Sequence, residues 1–495
     1  MPHSWLLKSC LLLGTIGSVF PAFSATRPYS PQRVHGVARE IDALMGQVDA
    51  QYPWAAMVMD ATTGQLIYSH RSDEWMTPAS TNKVVTAIAA VKELGPNYRF
   101  KTKLFTHGDI DHGVLHGSVT LRFAGDPVLT HTDIKQLLAK LKRAGIHRIT
   151  GSVRLDQHLR SSIPYGPGWM WDDLSYGYSA PMGAMIIDEN SFLLTVGSSS
   201  SRIDGKPLLK TQLPSGVVTF YNHAHVTRQR NNECPLLVYS SLDDHYNFSG
   251  CVPKTRQPRY EKLAIRNPKL YATALVKESL QELHIPFNGH VRVRRTQPHS
   301  ELLATHESPP LSHLVHDMLK ESDNMIANAL LEAVGAHHYH EQGSWDNGSR
   351  AVKEILSPIL GFSASDWRIV DGSGASRYDL LSPRVLVTLL QAVYAEPNVA
   401  SVIIPALPSA GKDGTLAGRM RASGVRGKVH AKTGTMTGVS ALTGFVQRPD
   451  KHVWVFAVMT NGLVHKASMA HAWEDAVCQL LSQRRSNGMR SLELR

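Results

Sequence analysis

Cysteine is scarce in this chain, four in 495 residues, and no two stand as C-x-x-C. No histidine spacing suggests a metal site either; His337, His338 and His340, clustered at a helix end, have no fourth ligand and read as solvated. A resident metal or other cofactor is therefore not expected. Aromatic residues make up only 7% of the chain, and none form a block interleaved with arginine, which argues against a nucleic-acid partner. After the first 25 residues no apolar run reaches the length of a membrane span. Acids are outnumbered, 41 Asp and Glu against 52 Lys and Arg.

What is present, 42% hydrophobic and 19% charged residues, is an ordinary globular composition. The length exceeds one core and predicts two or three domains. Residues 1–25 have the form of a signal peptide: Lys8, an apolar run Ser9–Phe20, then the small-residue region Ala22-Phe23-Ser24-Ala25. Export to the periplasm follows. Loss of residues 1–24 removes one lysine and no acid, so the net charge falls from +11 to +10. A basic protein favours anionic polymers or surfaces; weak membrane or wall association and a homodimer both stay open. Cys234 and Cys251 flank a polar, turn-rich segment and are the natural disulfide in an oxidising compartment. Cys478 lies in an apolar helical stretch and reads as a buried hydrophobe.

The stretch Thr77-Pro78-Ala79-Ser80-Thr81-Asn82-Lys83 reads as the first turn of a helix to Leu94, with Thr77 as N-cap and Gly95-Pro96 as stop. Val84, Val85, Ala87, Ile88, Ala89, Ala90, Val91 and Leu94 leave almost no polar face, so the helix is buried. Three residues apart, Ser80 and Lys83 share a face, and a desolvated amine can take a hydroxyl's proton. Alone, such a pair reads equally as a cap and a snorkelling lysine. Two further motifs remove that ambiguity. Ser322-Asp323-Asn324 sits between helical stretches Leu311–Leu319 and Met325–Val334, and Lys432-Thr433-Gly434 lies in a strand, Lys428–Thr435. S-x-x-K, S-D-N and K-T-G in this order form the signature of penicillin-binding proteins and class A β-lactamases.

Around these motifs the chain reads as follows. A helix near Val37–Val48 precedes a hairpin of 55–60 and 66–69, which feeds the Ser80 helix. From Phe100 come short strands and one marked helix, Thr132–Ala144. Helical periodicity returns at Leu311; the loop Asp371–Arg377, a helix opened by Ser382-Pro383, a hairpin of 440–446 and 453–459 and a final helix follow. Arg292–Arg295 alternates like the wet face of a strand. Ser80 and Ser322 are 242 residues apart (322 minus 80) yet must share a pocket, so a large segment is inserted. The expected division is 26–95 and 290–495 as one catalytic domain and 96–289 as inserted domains, with an inner module at 115–183. The fold class is α/β and multi-domain, with helices on both faces of an antiparallel sheet.

With Gly125-Asp126-Pro127, Gly166-Pro167-Gly168-Trp169, Trp171, Asp173, Ser179-Ala180-Pro181 and Asp371-Gly372-Ser373-Gly374 added, the sequence resembles the class C low-molecular-mass penicillin-binding proteins, D-alanyl-D-alanine carboxypeptidases/endopeptidases, over nearly the whole mature chain. The resemblance implies a penicilloyl-serine transferase fold whose insertion forms two smaller domains, peptidoglycan peptide stems and cross-links as substrate, and β-lactam antibiotics as covalent inhibitors. It implies Ser80 as nucleophile, Lys83 as its base, Ser322 and Lys432 as proton relay to the leaving amine, and Asn324 on the acyl-side amide. Thr433 and Thr435 would hold the terminal carboxylate, and Gly434 would let substrate backbone approach the strand. Asp173 with Tyr178 would receive the stem's diamino-acid side chain, and Arg377 completes the substrate-binding set. The alternatives are a serine β-lactamase, for which no deacylating glutamate stands out, and an inactive wall-binding protein.

Overall fold

The hairpin expected at 55–69 forms as β1 (Trp54–Asp60) and β2 (Leu66–His70), preceded by helix α1 (Pro31–Asp49). The computed structural model describes residues 30–49, 52–161, 163–198, 200–228, 234–464 and 467–483; the expected signal peptide, 1–25, lies outside them. A single 3-10 turn, Ala79–Thr81, opens α2 (Asn82–Leu94), which ends at Gly95 with φ 78°. Thr77 is not the cap. Its N–H donates to Asn461 Oδ1 at 2.9 Å and its carbonyl accepts from Asn461 Nδ2 at 3.2 Å, which ties it to the sheet instead.

The insertion begins with β3 (Lys101–Asp111) and β4 (Val114–Arg122), then α3 (His131–Arg143), β5 (Arg148–Ile149) and β6 (Val153–Asp156). Thr130 and Asp133 form a capping box at the start of α3, and Ile134, Leu137, Leu138 and Leu141 are buried on one side. Seven strands follow: β7 (Ser191–Gly197), β8 (Leu208–Lys210), β9 (Thr219–Asn222), β10 (His225–Thr227), β11 (Leu236–Ser240), β12 (His245–Pro253) and β13 (Arg259–Ala264). Cys234 and Cys251 are bonded, tying the segment before β11 to β12. Next come α4 (Pro268–Glu282), capped by Asn267, and strands β14 (Val291–Val293) and β15 (Glu301–Glu307).

Helices α5 (Leu311–Glu321), α6 (Asn324–Tyr339), α7 (Trp345–Leu360), α8 (Pro383–Ala395) and α9 (Pro397–Ala406) lead to β16 (Val429–Met436), β17 (Val439–Gln447), β18 (Val453–Asn461) and α10 (Ser468–Ser482). The main sheet has the order β16-β17-β18-β1-β2, antiparallel throughout, with Trp54 opposite Thr460 and Asp60 opposite Trp454. Alternation sorts β1 between two cores: Ala55 and Met57 face the layer of α2 and α5–α9, whereas Trp54, Ala56 and Val58 face α1 and α10. Both faces are covered, so β17 and β18 are buried along nearly their whole length, and β18 reads as an apolar run. Among the described residues no single helix is long and apolar enough to cross a membrane.

A second sheet has the order β14-β6-β4-β3-β15, with β5 on β4. The residues expected as the inner module, 115–183, and the segment expected to rejoin the catalytic part from 290 thus contribute strands to one sheet, Glu307 standing opposite Lys101. Enclosed by it in sequence are β7–β13, arranged as β13-β7-β8 and β10-β12-β11 with β9 on β12. One hydrophobic core runs through both, from Leu104 and Leu138 to Phe192, Tyr246 and Phe248. At the end of α6, His337 and His338 are not merely solvated: they lie 2.9 and 3.3 Å from the Glu93 carboxylate of α2.

α6 and α7 touch backbone to backbone through Gly335 and Gly348; a Cβ on Gly348 would stand 2.5 Å from the Leu331 carbonyl oxygen. Alanine in a helix interior normally stabilises by about 1 kcal/mol over glycine. Here Gly348→Ala is expected to destabilise by about 1–3 kcal/mol, because α7 must move off α6. A denaturant midpoint equal to or above that of the parent would show that the helices can part freely.

Candidate active site

Ser80 sits in the 3-10 turn that opens α2, just after Ala79, whose φ of 47° is unusual for a residue with a side chain. Two glycines allow that turn. Gly374, at φ 78°, backs onto the Ala79 carbonyl, and a Cβ on Gly434 would stand 2.6 Å from the Pro78 carbonyl oxygen. The glycine of K-T-G therefore serves contact between β16 and the Ser80 turn. S-D-N also has a local logic: Ser322 ends α5 in the left-handed region (φ 62°), Asp323 caps α6 by accepting from Ile326 N at 2.8 Å, and Asn324 is the first residue of that helix.

These turns bring two lysines together out of water; Lys83 and Lys432 are both 0% exposed. Lys83 Nζ donates to Ser80 Oγ (2.9 Å), Asn324 Oδ1 (2.6 Å) and the Ser373 carbonyl (2.8 Å). Lys432 Nζ donates to Ser322 Oγ and to the Thr433 carbonyl, each at 2.9 Å. Desolvation pulls the Lys83 pKa down to about 8, against the opposing pull of Asp371, Asp323 and Asp379. Desolvation, and then the neighbouring Lys83 charge, push Lys432 well below the ordinary lysine range. An amine near neutrality beside a hydroxyl can accept its proton.

Asp371 is the buried anion of the site. Its carboxylate accepts from the N–H groups of Ser373 (3.0 Å), Gly374 (2.6 Å) and Ser376 (3.0 Å), from Ser373 Oγ (3.1 Å) and from Trp169 Nε1 (2.7 Å). Its backbone carbonyl accepts from Asn82 Nδ2 at 2.9 Å. Asp379 is fully buried beside it, and burial followed by the Asp371 charge raises its pKa far above the carboxylate range.

At the rim, Asn324 Nδ2 donates to the Tyr178 carbonyl (2.8 Å), and Tyr178 OH donates to Asp173 Oδ1 (2.7 Å). The ring of Tyr178, half exposed, stacks on Tyr176 at 5.7 Å; burial of its hydroxyl and the Asp173 bond raise its pKa. Thr433 Oγ1 donates to Thr415 Oγ1 (2.8 Å), Thr435 Oγ1 lies 3.2 Å from His471 Nε2, and Arg377 Nη1 donates to the Thr437 carbonyl (2.7 Å). β16 is the last strand of its sheet. Residues 408–410 pair with its first half, at Val429 and Ala431, whereas the half carrying Thr433 to Met436 has no strand beyond it among the described residues.

Ser80, Lys83 and Asn324 are thus in direct contact, Ser322 and Lys432 form an adjoining pair, and Thr433, Gly434, Thr435, Asp173, Tyr178 and Arg377 lie on the surrounding strand and loops. Cys234 and Cys251 are elsewhere, in the insertion, with His225 Nε2 3.2 Å from Cys251 Sγ. The three form a group of possible metal ligands, but the disulfide removes both thiolates. Sequence reasoning passed over Asp371, Asp379, Ser373, Thr415 and His471 as site residues. Asp371 had left a signal: an acid followed by Gly-Ser-Gly-Ala-Ser invites capture by backbone N–H groups. Thr415 and His471 left none.

The sequence profile of the D-Ala-D-Ala carboxypeptidase 3 (S13) family matches residues 37–484. The D-alanyl-D-alanine carboxypeptidase DacB of Haemophilus influenzae is 33% identical over 408 residues, 80% of this chain and 83% of that protein. A D-alanyl-D-alanine carboxypeptidase of Actinomadura sp. strain R39 is 28% identical over 92% of this chain and 86% of its own. The crystal structure of penicillin binding protein 4 (dacB) from Haemophilus influenzae superposes with a TM-score of 0.83 at 30% identity, over 90% of this chain and 99% of that one. The same protein complexed with a β-lactam superposes with a TM-score of 0.76 at 28% identity, over 90% and 100%.

Asp371→Asn would turn an NH2 group toward backbone donors and remove the anion facing Lys83. A loss of about 2–4 kcal/mol in unfolding free energy is expected, with altered Trp169 fluorescence as its hydrogen bond weakens. An unchanged denaturant midpoint would mean that the loop 371–376 does not depend on this carboxylate.

Proposed function

The chain belongs to the D-Ala-D-Ala carboxypeptidase S13 family, and from that premise we propose the following reaction for its own residues. It is a serine-type D-alanyl-D-alanine carboxypeptidase and endopeptidase that cuts peptidoglycan stems and cross-links through an acyl-serine. The observation that carries the reading is the Lys83–Ser80 contact at 2.9 Å with the amine fully buried. The neutral Lys83 amine takes the Ser80 proton while Oγ attacks the carbonyl carbon of the penultimate D-alanine; the displaced electron pair rests on an oxygen held by the N–H groups of Ser80 and Thr435. The C–N bond then breaks. The leaving nitrogen takes a proton from Ser322 Oγ, which is refilled from Lys432.

Water reverses the traffic. Its proton passes through Ser322 to Lys432 as the hydroxide attacks the ester, and Lys83 returns its proton to the departing Ser80 oxygen. Each buried amine lowers the other's hold on its proton. A substrate carboxylate held by Thr433 and Thr435 beside Lys432 draws a proton to Lys432 and frees Lys83 as base, so binding itself switches the serine on. Asn324 orients the acyl-side amide. Asp173, with Tyr178, receives the ammonium group of the stem's diamino acid, and Arg377 braces the β16–β17 turn along which the substrate strand lies.

β-Lactams enter the same pocket as covalent inhibitors, a reading supported by the β-lactam complex of the Haemophilus influenzae relative. A β-lactamase would need a positioned deacylating glutamate; among the described residues none is bonded to Ser80 or Lys83. The site of action is the periplasm, following the signal-like residues 1–25, and the net charge of +10 after their removal suits weak wall association. The catalytic domain takes 30–95 and the chain from Leu311 onward, and the two inserted domains are built on the second sheet and on β7–β13.

Digestion of purified cross-linked muropeptides, with products separated by mass, is expected to release D-alanine and cleaved dimers, and Ser80→Ala is expected to abolish both that release and fluorescent-penicillin labelling. Since kcat/KM reports the free enzyme and the Lys83 pKa is about 8, the rate should fall as pH drops through about 8, and it should fall again at higher pH as Lys432, the acid of the relay, loses its proton. An acidic limb in the ordinary carboxylate range instead would remove Lys83 from the role of base. Asp173→Asn is expected to slow muropeptide turnover about tenfold or more while leaving acylation by a simple penicillin almost unchanged; equal losses toward both ligands would refute a recognition role.

A further inference from the structure

The sheet of β9–β12 presents a face that the reaction leaves unused. Tyr239 of β11 stands opposite Asn247 of β12, and Asn247 stands opposite Tyr221 of β9, so the three form a row across adjacent strands. Tyr239 and Tyr221 are 41% and 45% exposed, while Val238, Tyr246 and Phe248 on the reverse side are buried in the core. Among the described residues, the neighbours sharing the outer face, Thr219, Leu237 and Ser249, carry no charge, and its imidazoles are His245, paired with Asp243, and His225, beside Cys251. On a chain of net charge +11 this is an uncharged aromatic surface.

The row continues to the rim of the acyl site. Trp171, 68% exposed, stacks on Tyr239 with centroids 5.7 Å apart and planes at 16°. Its loop is pinned to the sheets: Ser175 Oγ accepts from Ser240 N (2.9 Å) and Ser240 Oγ (3.0 Å), and the Ser175 carbonyl accepts from Ala264 N (3.0 Å). From Trp171 the same loop runs through Asp173 to the stacked Tyr176 and Tyr178, whose carbonyl meets Asn324.

Exposed rings interleaved with an amide and hydroxyls suit the apolar C–H faces and the acetamido and hydroxyl groups of sugars; an acidic peptide or a nucleic acid would call for cationic partners, and β9–β12 carry no lysine or arginine. Tyr239 and Tyr221 are two strand spacings apart, about 9–10 Å, comparable to one disaccharide of an extended β-1,4 glycan. We propose that the row Trp171, Tyr239, Asn247 and Tyr221 binds the glycan strand of peptidoglycan and holds the polymer while its stem peptide enters the acyl site. The identity of the polymer rests on the activity proposed above.

The test uses the full enzyme and a soluble β-1,4-linked N-acetylglucosamine oligomer, followed by tryptophan fluorescence, together with D-alanine release from a soluble stem peptide and from intact sacculi. The parent enzyme is expected to bind the oligomer, Tyr221→Ala to bind about fivefold or more weakly, and Tyr221→Trp to keep binding. Tyr221→Ala should leave soluble-peptide turnover unchanged and slow release from sacculi several-fold. Penicillin labelling separates the two readings: loss of labelling and peptide turnover in the parent defeats the activity, whereas both retained without any oligomer response defeats only the glycan site. An unchanged sacculus rate in Tyr221→Ala also overturns it. So does a dimer that this substitution dissociates while the oligomer response persists, since the face would then join two copies of the chain.

Discussion

Two lysine side chains held away from water, beside the buried carboxyl group of Asp371, set the terms for the rest of the molecule. Lys83 and Lys432 come from opposite ends of the sequence and are both 0% exposed. Burying an ammonium costs several kcal/mol unless it is paired or neutralised, and neither lysine has a direct carboxylate partner. The structure meets the cost by letting the amines give up charge, with Asp371 near enough to keep Lys83 from falling further. That balance requires dryness. Gly374 and Gly434 supply it by letting the 371–376 loop and β16 close directly onto the Ser80 turn, where any side chain would hold the backbones apart.

Such a site cannot be assembled from one segment. The main sheet joins the first hairpin to the last three strands, bringing α2 and β16 side by side, and the insertion then returns to close the arrangement. Trp169 reaches Asp371 and the Tyr178 carbonyl reaches Asn324. Electrostatics crosses the same boundary, since after desolvation the Glu189 charge is the next influence raising the Asp323 pKa, countered in part by Lys262. The inserted residues are therefore part of the acyl pocket's wall and of its field, although they carry none of the three motifs.

Much of this was legible in the chain because the motifs combine a reactive residue with a backbone demand. Ser322-Asp323-Asn324 names a left-handed position, a cap and a helix start at once, and helix periods on either side located it. Ala55–Asp60 and Val453–Met459 read as strands from uninterrupted apolar runs. What failed to show depended on distant partners. Thr77 resembles an N-cap by type, yet Asn461, 384 residues away, claims its backbone. The helix α4 was hidden because its buried face, Tyr271, Ala272, Leu275, Val276, Ser279 and Leu280, includes a serine, while Leu270 stands exposed off it, which blurs the apolar stripe. The pairing of β15 with β3 joins residues about two hundred positions apart, and strand periodicity says nothing about partners. The close approach of Gly434 to the Pro78 carbonyl was not legible either, because which atom faces a missing side chain is a three-dimensional question.

Chemistry and recognition are consequently supplied by different physics in different places. In the interior, desolvation is large enough to move a lysine's proton affinity by units, and this acts on any acyl donor whose carbonyl reaches Ser80, a strained β-lactam as readily as a peptide. That interior can therefore discriminate little beyond a terminal carboxylate. Selectivity for a large polymer has to come from the half-exposed rim, where contacts are individually weak, screened by water and additive only over area. On the proposed reading, the open half of β16, the Asp173–Tyr178 loop and the aromatic edge of the insertion would provide that area. A domain without the insertion would keep the lysines and the serine but lose the wall that dries them and the surface that selects, which is a physical reason for so long an excursion between Ser80 and Ser322.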